Sequence, residues 1–239
     1  MKICSFDVGK GNLAYTIMNI HIQNKTIDLN KSSILDFDLI DLINPNHHCM
    51  TETCQGIIQS GKRKGLQCTS NSIGNDKFCG RHGGTKLVKK KTISLQELCR
   101  NMKKILDTKK LIDTVDIILI ETQPVKFKKM CEVSHYLFSY CIFRTSLPVR
   151  YITARGRMYY VCSLFKNKVK LHSCATYKDR KSNSILLCDY LLDTYFKSHL
   201  KLKSLRKKDD VADCIIQTIW YLCKYKKYKL FCDTENTAK

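Results

Sequence analysis

Apolar positions along the chain change period several times, and each change marks an element. Residues 3–7 form a short run, rich in β-branched and aromatic side chains, that reads as a buried strand. Gly9 and the pair Gly11 and Asn12 then turn the chain into a second apolar run, residues 13–20. The spacing predicts a β-hairpin with Asp7 at its mouth. Side chains alternate along a strand, so Ile3, Ser5 and Asp7 share one face while Cys4, Phe6 and Val8 share the other. A third strand is expected over residues 33–43, where apolar and acidic residues partly alternate, and Asn44 with Pro45 ends it. Residues 92–111 place apolar side chains at 95, 98, 102, 105 and 106 on one helical stripe, with Thr92 or Ser94 as cap and Glu97 completing a capping box to Ser94. Residues 115–120 are continuously apolar, as in a buried central strand, and run into Glu121. Pro124 closes that strand and a helix is expected over 126–146. A short strand at 148–153, a helix at 155–165, a basic polar connection at 166–181 and a helix at 182–199 follow. The last helix begins near residue 207, with Val211, Cys214, Ile215, Thr218, Ile219 and Leu222 on its buried face. At 100° per residue Asp210 lies just off the edge of that face and Asp213 beside it, whereas Asp209 points more directly away.

Between residues 44 and 91 the pattern breaks. Large apolar residues are few, and Gly, Ser, Lys, Cys and His dominate. Such a segment cannot bury enough surface to stay ordered by packing, whereas a tetrahedral Zn²⁺ supplies folding energy directly. Cys54, Cys68, Cys79 and His82 form a Cys₃His set in which Cys79 and His82 have the close spacing of zinc knuckles and ribbons. His47, His48 and Cys49 are alternatives for the fourth ligand. Lys62, Arg63, Lys64 and Arg81 surround the set, so the module either touches a phosphate backbone or is a solvated basic loop beside a structural zinc.

Composition narrows the partners. Forty-two Lys and Arg against 21 Asp and Glu leave a formal charge of +21, which favours a polyanion, nucleic acid first. No basic amphipathic helix with one broad apolar face is evident, and no run of about 18 apolar residues is long enough to span a bilayer, so no membrane partner is expected. Fourteen cysteines with no signal peptide before the first strand point to a reducing compartment. At 239 residues the chain holds one α/β core and a small insertion, divided as 1–43 with 92–232, an inserted 44–91, and a disordered tail at 233–239.

Asp7 alone would be a turn-forming aspartate. Together with Glu121 at the end of another buried strand and Asp210 and Asp213 on the final helix, it completes the carboxylate set of a two-metal phosphoryl-transfer site. Without cations the four would repel one another; oxygen ligands suit Mg²⁺, with Mn²⁺ as substitute. The stretches SFDVGKGNLAY, Ile117 to Gln123, and KKDDVAD at Lys207 to Asp213 resemble the RuvC-type Holliday junction resolvases of the RNase H-like superfamily, most closely those of poxviruses and other large cytoplasmic DNA viruses. The resemblance spans nearly the whole chain outside 44–91. It implies an α/β fold with a mixed five-stranded sheet flanked by helices, and Mg²⁺-dependent nicking of four-way DNA junctions by a homodimer, in the cytoplasm of an infected host cell. It also implies Asp7, Glu121, Asp210 and Asp213 as Mg²⁺ ligands and a catalytic lysine at Lys178 or Lys181, of which Lys181 is preferred. Lys126, Lys128, Lys129, Arg155, Arg157, Lys178 and Arg180 are the candidate contacts to the DNA backbone. Two other readings use the same residues: an RNase H-type nuclease on RNA–DNA hybrids, and a non-catalytic zinc-dependent DNA-binding protein.

Overall fold

The computed structural model describes residues 1–45, 53–70, 72, 76–84, 93–196 and 208–231. The expectations for His47, His48, Cys49, Thr92, Lys207, residues 197–199 and the tail 233–239 lie outside the described residues.

The hairpin forms as expected: β1 (Lys2–Val8) pairs antiparallel with β2 (Asn12–Gln23), with Asp7 opposite Ala14. β3 (Thr26–Asp41) then pairs antiparallel with β2 and starts seven residues before the expected position. Its first part is masked by polar residues: Ile27 and Leu29 are buried, while Asp28 between them and Asn30 after them carry no apolar signal. The turn that joins β2 to β3 has Asn24 at φ 50° and Lys25 at φ 58°, the two left-handed residues of a type I′ hairpin, whose twist matches that of the strands.

After the inserted segment come α1 (Leu95–Leu106), a short 3₁₀ turn (Lys110–Thr114), β4 (Ile117–Glu121), α2 (Lys128–Arg144), β5 (Val149–Ile152) and α3 (Arg157–Phe165). Ser94 caps α1 by accepting from the Glu97 amide at 3.1 Å, which decides between the two expected caps. α4 (Tyr177–Thr194) begins five residues earlier than expected, because Thr176 and Asp179 form a reciprocal capping box. This shift turns the end of the basic connection into helix and carries Lys178, Arg180 and Lys181 on it. α5 (Lys208–Trp220) runs on into a π turn (Tyr221–Tyr225) and a short strand, β6 (Lys229–Phe231).

The sheet is mixed and has six strands in the order β5-β4-β1-β2-β3-β6. The five expected strands are all present; β6 is the addition, three residues whose mostly exposed side chains give no apolar pattern in the sequence. β4 lies parallel to both β1 and β5. Helices cover both faces. Cys4, Phe6 and Val8 pack with Leu98, Met102, Val133 and Leu137 of α1 and α2, while Ile3, Ile117 and Leu119 pack with Val161, Leu187, Leu191, Val211 and Ile215 of α3, α4 and α5. The alternation along β1 is therefore the expected one. On the second face Ser5 and Thr218 share a buried hydroxyl hydrogen bond of 2.7 Å, which ties β1 to α5 without leaving either group unsatisfied.

Candidate functional site

The site follows from register. β1 and β4 are parallel neighbours with Phe6 opposite Ile120, so the next residues, Asp7 and Glu121, stand side by side at the carboxyl ends of adjacent strands. In open α/β sheets this end is where ligands collect. Both residues belong to the alternation set of Ile3 and Ser5 on β1, and of Ile117 and Leu119 on β4, which is the face that α5 covers. The first turns of α5 then bring Asp210 and Asp213 over the same strand ends, and the four acids line one cavity of about 490 Å³. Ser184 of α4 donates to Asp213 Oδ1 at 2.7 Å and fixes its rotamer.

The electrostatics are those of crowded carboxylates. Burial pushes the Asp7 carboxyl well above its usual range, and Glu121, Asp213 and Asp210 push it further. Burial likewise raises Asp213 to about 6, with Arg157 acting against the shift and Glu121 for it. Glu121 Oε2 is buried and is ion-paired with the Arg157 guanidinium at 2.7 Å. Hard oxygen donors that repel one another are a donor set that fits divalent Mg²⁺ or Mn²⁺.

The raised values have a thermodynamic consequence with a definite sign. A carboxyl that binds its proton more tightly when folded supports the fold fully below its unfolded value near 3.8 and loses that support as pH rises through about 6. For Asp213 the loss amounts to at most about 3 kcal/mol, reduced because about a quarter of the side chain (24%) meets solvent. Melting curves between pH 4.5 and 7.5 in EDTA are expected to show Tm falling with pH, less steeply in Asp213→Asn, and Mg²⁺ is expected to flatten the fall. A native chain whose Tm in EDTA is constant or rises over that window would contradict the crowded-acid description.

Lys181 lines the same cavity, as do Tyr177 and Arg180, whereas Lys178 is exposed on the next face of α4. The Lys181 ammonium is ion-paired with Asp209. Burial opposes its charge, but the Asp209 carboxylate more than compensates and holds it protonated. Asp209 therefore turns toward α4 rather than away from the protein, a contact that helical periodicity alone does not reveal.

Lys126, Lys128, Arg155 and Lys178 are exposed, and Arg180 is half-buried with its guanidinium on the carbonyls of Cys174 and Ala175 at 3.1 and 3.2 Å. Lys126 and Lys10 flank the Phe127 ring at 5.2 and 5.4 Å, beside the cavity. Two expected backbone contacts are engaged within the protein. Lys129 donates to the Ile93 carbonyl at 2.7 Å and ties α2 to the start of α1. Arg157 is buried at 5% exposure, its guanidinium 2.7 Å from Glu121 Oε2 and 4.0 Å from Asp213 Oδ1. A basic residue in a run of basic residues reads as a surface cation; only the fold turns this one inward.

The inserted segment carries a second cluster. The ligand atoms of Cys54, Cys68, Cys79 and His82 all lie within 4.8 Å of one another, with Cys68 and Cys79 sulfurs 3.9 Å apart and His82 Nδ1 3.3 and 3.4 Å from those of Cys54 and Cys79. Tetrahedral zinc with Zn–S of about 2.3 Å requires sulfur separations close to 3.8 Å. Backbone amides of Gly56 and Cys79 donate to Cys54 Sγ at 3.3 and 3.1 Å, and Ser70 donates to Cys68 Sγ at 3.4 Å. Burial works against ionising Cys54, but these amides and the neighbouring ligands lower its thiol to about 6. A Cβ on Gly56 would meet His82 Cγ at 2.5 Å, so that glycine leaves room for the imidazole. The cluster fits zinc.

No protein-family model matches the chain, and no curated protein matches it in sequence. Solved structures do. RuvC of Thermus thermophilus superposes with a TM-score of 0.50 at 10% identity over 95% of this chain and 98% of that one. The fowlpox virus resolvase, solved with substrate Holliday junction DNA, gives 0.49 at 15% identity over 93% and 97%, and the yeast mitochondrial Holliday junction resolvase Ydc2 gives 0.49 at 14% over 92% and 78%. With its mixed sheet between two helical layers, this chain shares the α/β fold of RuvC.

Proposed function

We propose that the chain is a structure-selective endonuclease that resolves four-way DNA junctions as a homodimer, with Mg²⁺, or Mn²⁺ in its place, as the catalytic ion and Zn²⁺ as a structural one. The observation that carries the reading is the meeting of Asp7, Glu121, Asp210 and Asp213, from three distant stretches of chain, in one cavity. A protein that only binds DNA gains nothing from carboxylates facing phosphates, which favours a nuclease over a binding protein. Bound divalent ions would activate a water and stabilise the leaving oxygen of an in-line displacement at phosphorus.

The chain's own residues do the rest. Asp7, Glu121, Asp210 and Asp213 would hold the ions. Lys181 stands at the cavity wall as a protonated donor, near where charge develops on the leaving oxygen, and Asp209 orients it. Exposed Lys126, Lys128, Arg155 and Lys178, with Arg180 at the cavity, engage backbone phosphates, so shape rather than base sequence selects the substrate. Among the described residues no helix is long and apolar enough to cross a membrane. Cysteine zinc ligands and buried cysteines outside any disulfide among the described residues favour a reducing compartment, consistent with the cytoplasm of an infected host cell. The nuclease core over 1–43 and 92–232 and the zinc module within 44–91 are taken as separate units.

A labelled four-way junction, a matched duplex and an RNA–DNA hybrid incubated with Mg²⁺ or with EDTA test the function. Symmetric nicks in the junction alone, dependent on Mg²⁺, are expected. Cleavage of the hybrid in preference to the junction would replace this reading with an RNase H-type one, and no cleavage of any substrate would leave a DNA-binding protein.

A further inference from the structure

Arg157 is a cation buried inside a site whose acids are arranged for cations. It is the first residue of α3, directly after Gly156, which takes φ +73° and so turns the chain from β5 back over the sheet. The side chain is 6% exposed, which rules out a role as a phosphate contact on the surface. Its Nη2 lies 2.7 Å from Glu121 Oε2 and its Nη1 donates to Gln217 Oε1 at 2.8 Å. Gln217 Nε2 in turn donates to the Phe6 carbonyl at 3.5 Å, one residue before Asp7. One guanidinium thus bridges the end of β4, the middle of α5 and the end of β1, the three elements that carry the acids.

We propose that Arg157 is the resident counter-ion of the acidic cluster, a positioning residue that holds Glu121 and α5 in place when no divalent ion is bound. The inference rests on the reading of the four acids as a divalent-ion site. Four ionised carboxylates gathered in a partly dry cavity repel strongly, and a fixed positive charge within about 4 Å acts there at an effective dielectric far below that of water. The arrangement has two consequences. The metal-free chain can fold with its acids already converged, so ions enter a formed site. And Arg157 already offsets part of the repulsion, so an added divalent ion stabilises the native chain less than it would stabilise a chain without the arginine.

The test is a set of melting curves with Mn²⁺ as probe, its occupancy followed by electron paramagnetic resonance. Arg157→Met in EDTA is expected to lower Tm by roughly 10 °C, because it leaves buried carboxylates uncompensated. Arg157→Lys, which keeps the charge, is expected to recover roughly half or more of that loss, and so is Arg157→Met combined with Glu121→Gln, which removes the charge left unpaired. Saturating Mn²⁺ is expected to raise Tm of Arg157→Met by roughly twice as much as it raises the native value. Loss of packing alone would produce neither the rescue by Glu121→Gln nor the larger Mn²⁺ response. If Arg157→Met does not fold in EDTA, folding of the Lys variant or of the double variant supports the proposal, and failure of both overturns it. An unchanged Tm for Arg157→Met, or a double variant as unstable as the two single losses together, also overturns it. Mn²⁺ that leaves the native Tm unchanged defeats the divalent-site reading instead, while the EDTA comparisons still decide the role of Arg157.

Discussion

Asp7→Asn is expected to reduce nicking of a four-way junction on the order of 10³-fold or more while leaving junction affinity intact. The two side chains have the same shape, so the substitution removes a charge and little else. The lost charge is the one at the centre of the cluster, beside Glu121 and below Asp210 and Asp213, and without it the remaining acids hold divalent ions less well. Affinity is expected to hold or tighten, because an amide repels a phosphate less than a carboxylate does. Stability should move the opposite way from activity: a carboxyl that burial and three neighbours raise well above its usual range weakens the fold when ionised, so Asp7→Asn in EDTA should melt above the native chain. Single-turnover cleavage, binding in Ca²⁺ or EDTA, and melting together check this. Cutting by Asp7→Asn at a native rate would remove the site from the mechanism.

Cys79→Ser is expected to abolish zinc binding and to unfold the inserted module while leaving the sheet domain folded. The reason lies in what the module buries. Among the described residues its buried hydrophobic cluster consists of Cys54, Cys68 and Cys79 with Ile58 packed against it, whereas Ile57, Leu66 and Phe78 are exposed. Among the described residues no apolar core remains once the metal is gone, and structural zinc contributes an apparent 10–16 kcal/mol in isolated modules, roughly. Elemental analysis should read about one zinc per native chain and none in the variant. Limited proteolysis should cut the variant within residues 53–84 and spare the remainder, and prolonged chelation of the native chain should reproduce the pattern. Because protons compete for the Cys54 thiolate, retention of zinc should weaken as pH falls below about 6. A Cys79→Ser chain that keeps its zinc and its protease resistance would refute the assignment.

Much of this protein was legible in one dimension because its signals are local. The alternation that puts Asp7 on the face of Ile3, the apolar run that ends in Glu121, the helical stripe beside Asp210 and Asp213, and the spacing of Cys79 and His82 all depend on a few consecutive residues and on the periods 2 and 3.6. Those periods do not see turns made by polar residues, and so they leave the early part of β3, with its Asn24 and Lys25 hairpin, without a signal and give the first turn of α4, with its Thr176 capping box, the look of a connection. Nor do they see a strand such as β6, whose residues are mostly solvated and whose place depends on the free edge of β3.

By itself the sequence determined which residues carry chemistry: the acids, the Cys₃His set, and a surplus of cations suited to a polyanion. What each cation does was decided only by the fold. Lys181 and Asp209 lie 28 positions apart and Arg157 and Gln217 lie 60 apart, and each pair meets because two helices pack on the same sheet face. A charge along a chain has no environment until packing removes water from it; that is why Arg157, indistinguishable in the text from its exposed neighbour Arg155, ends among the acids while Arg155 stays in solvent.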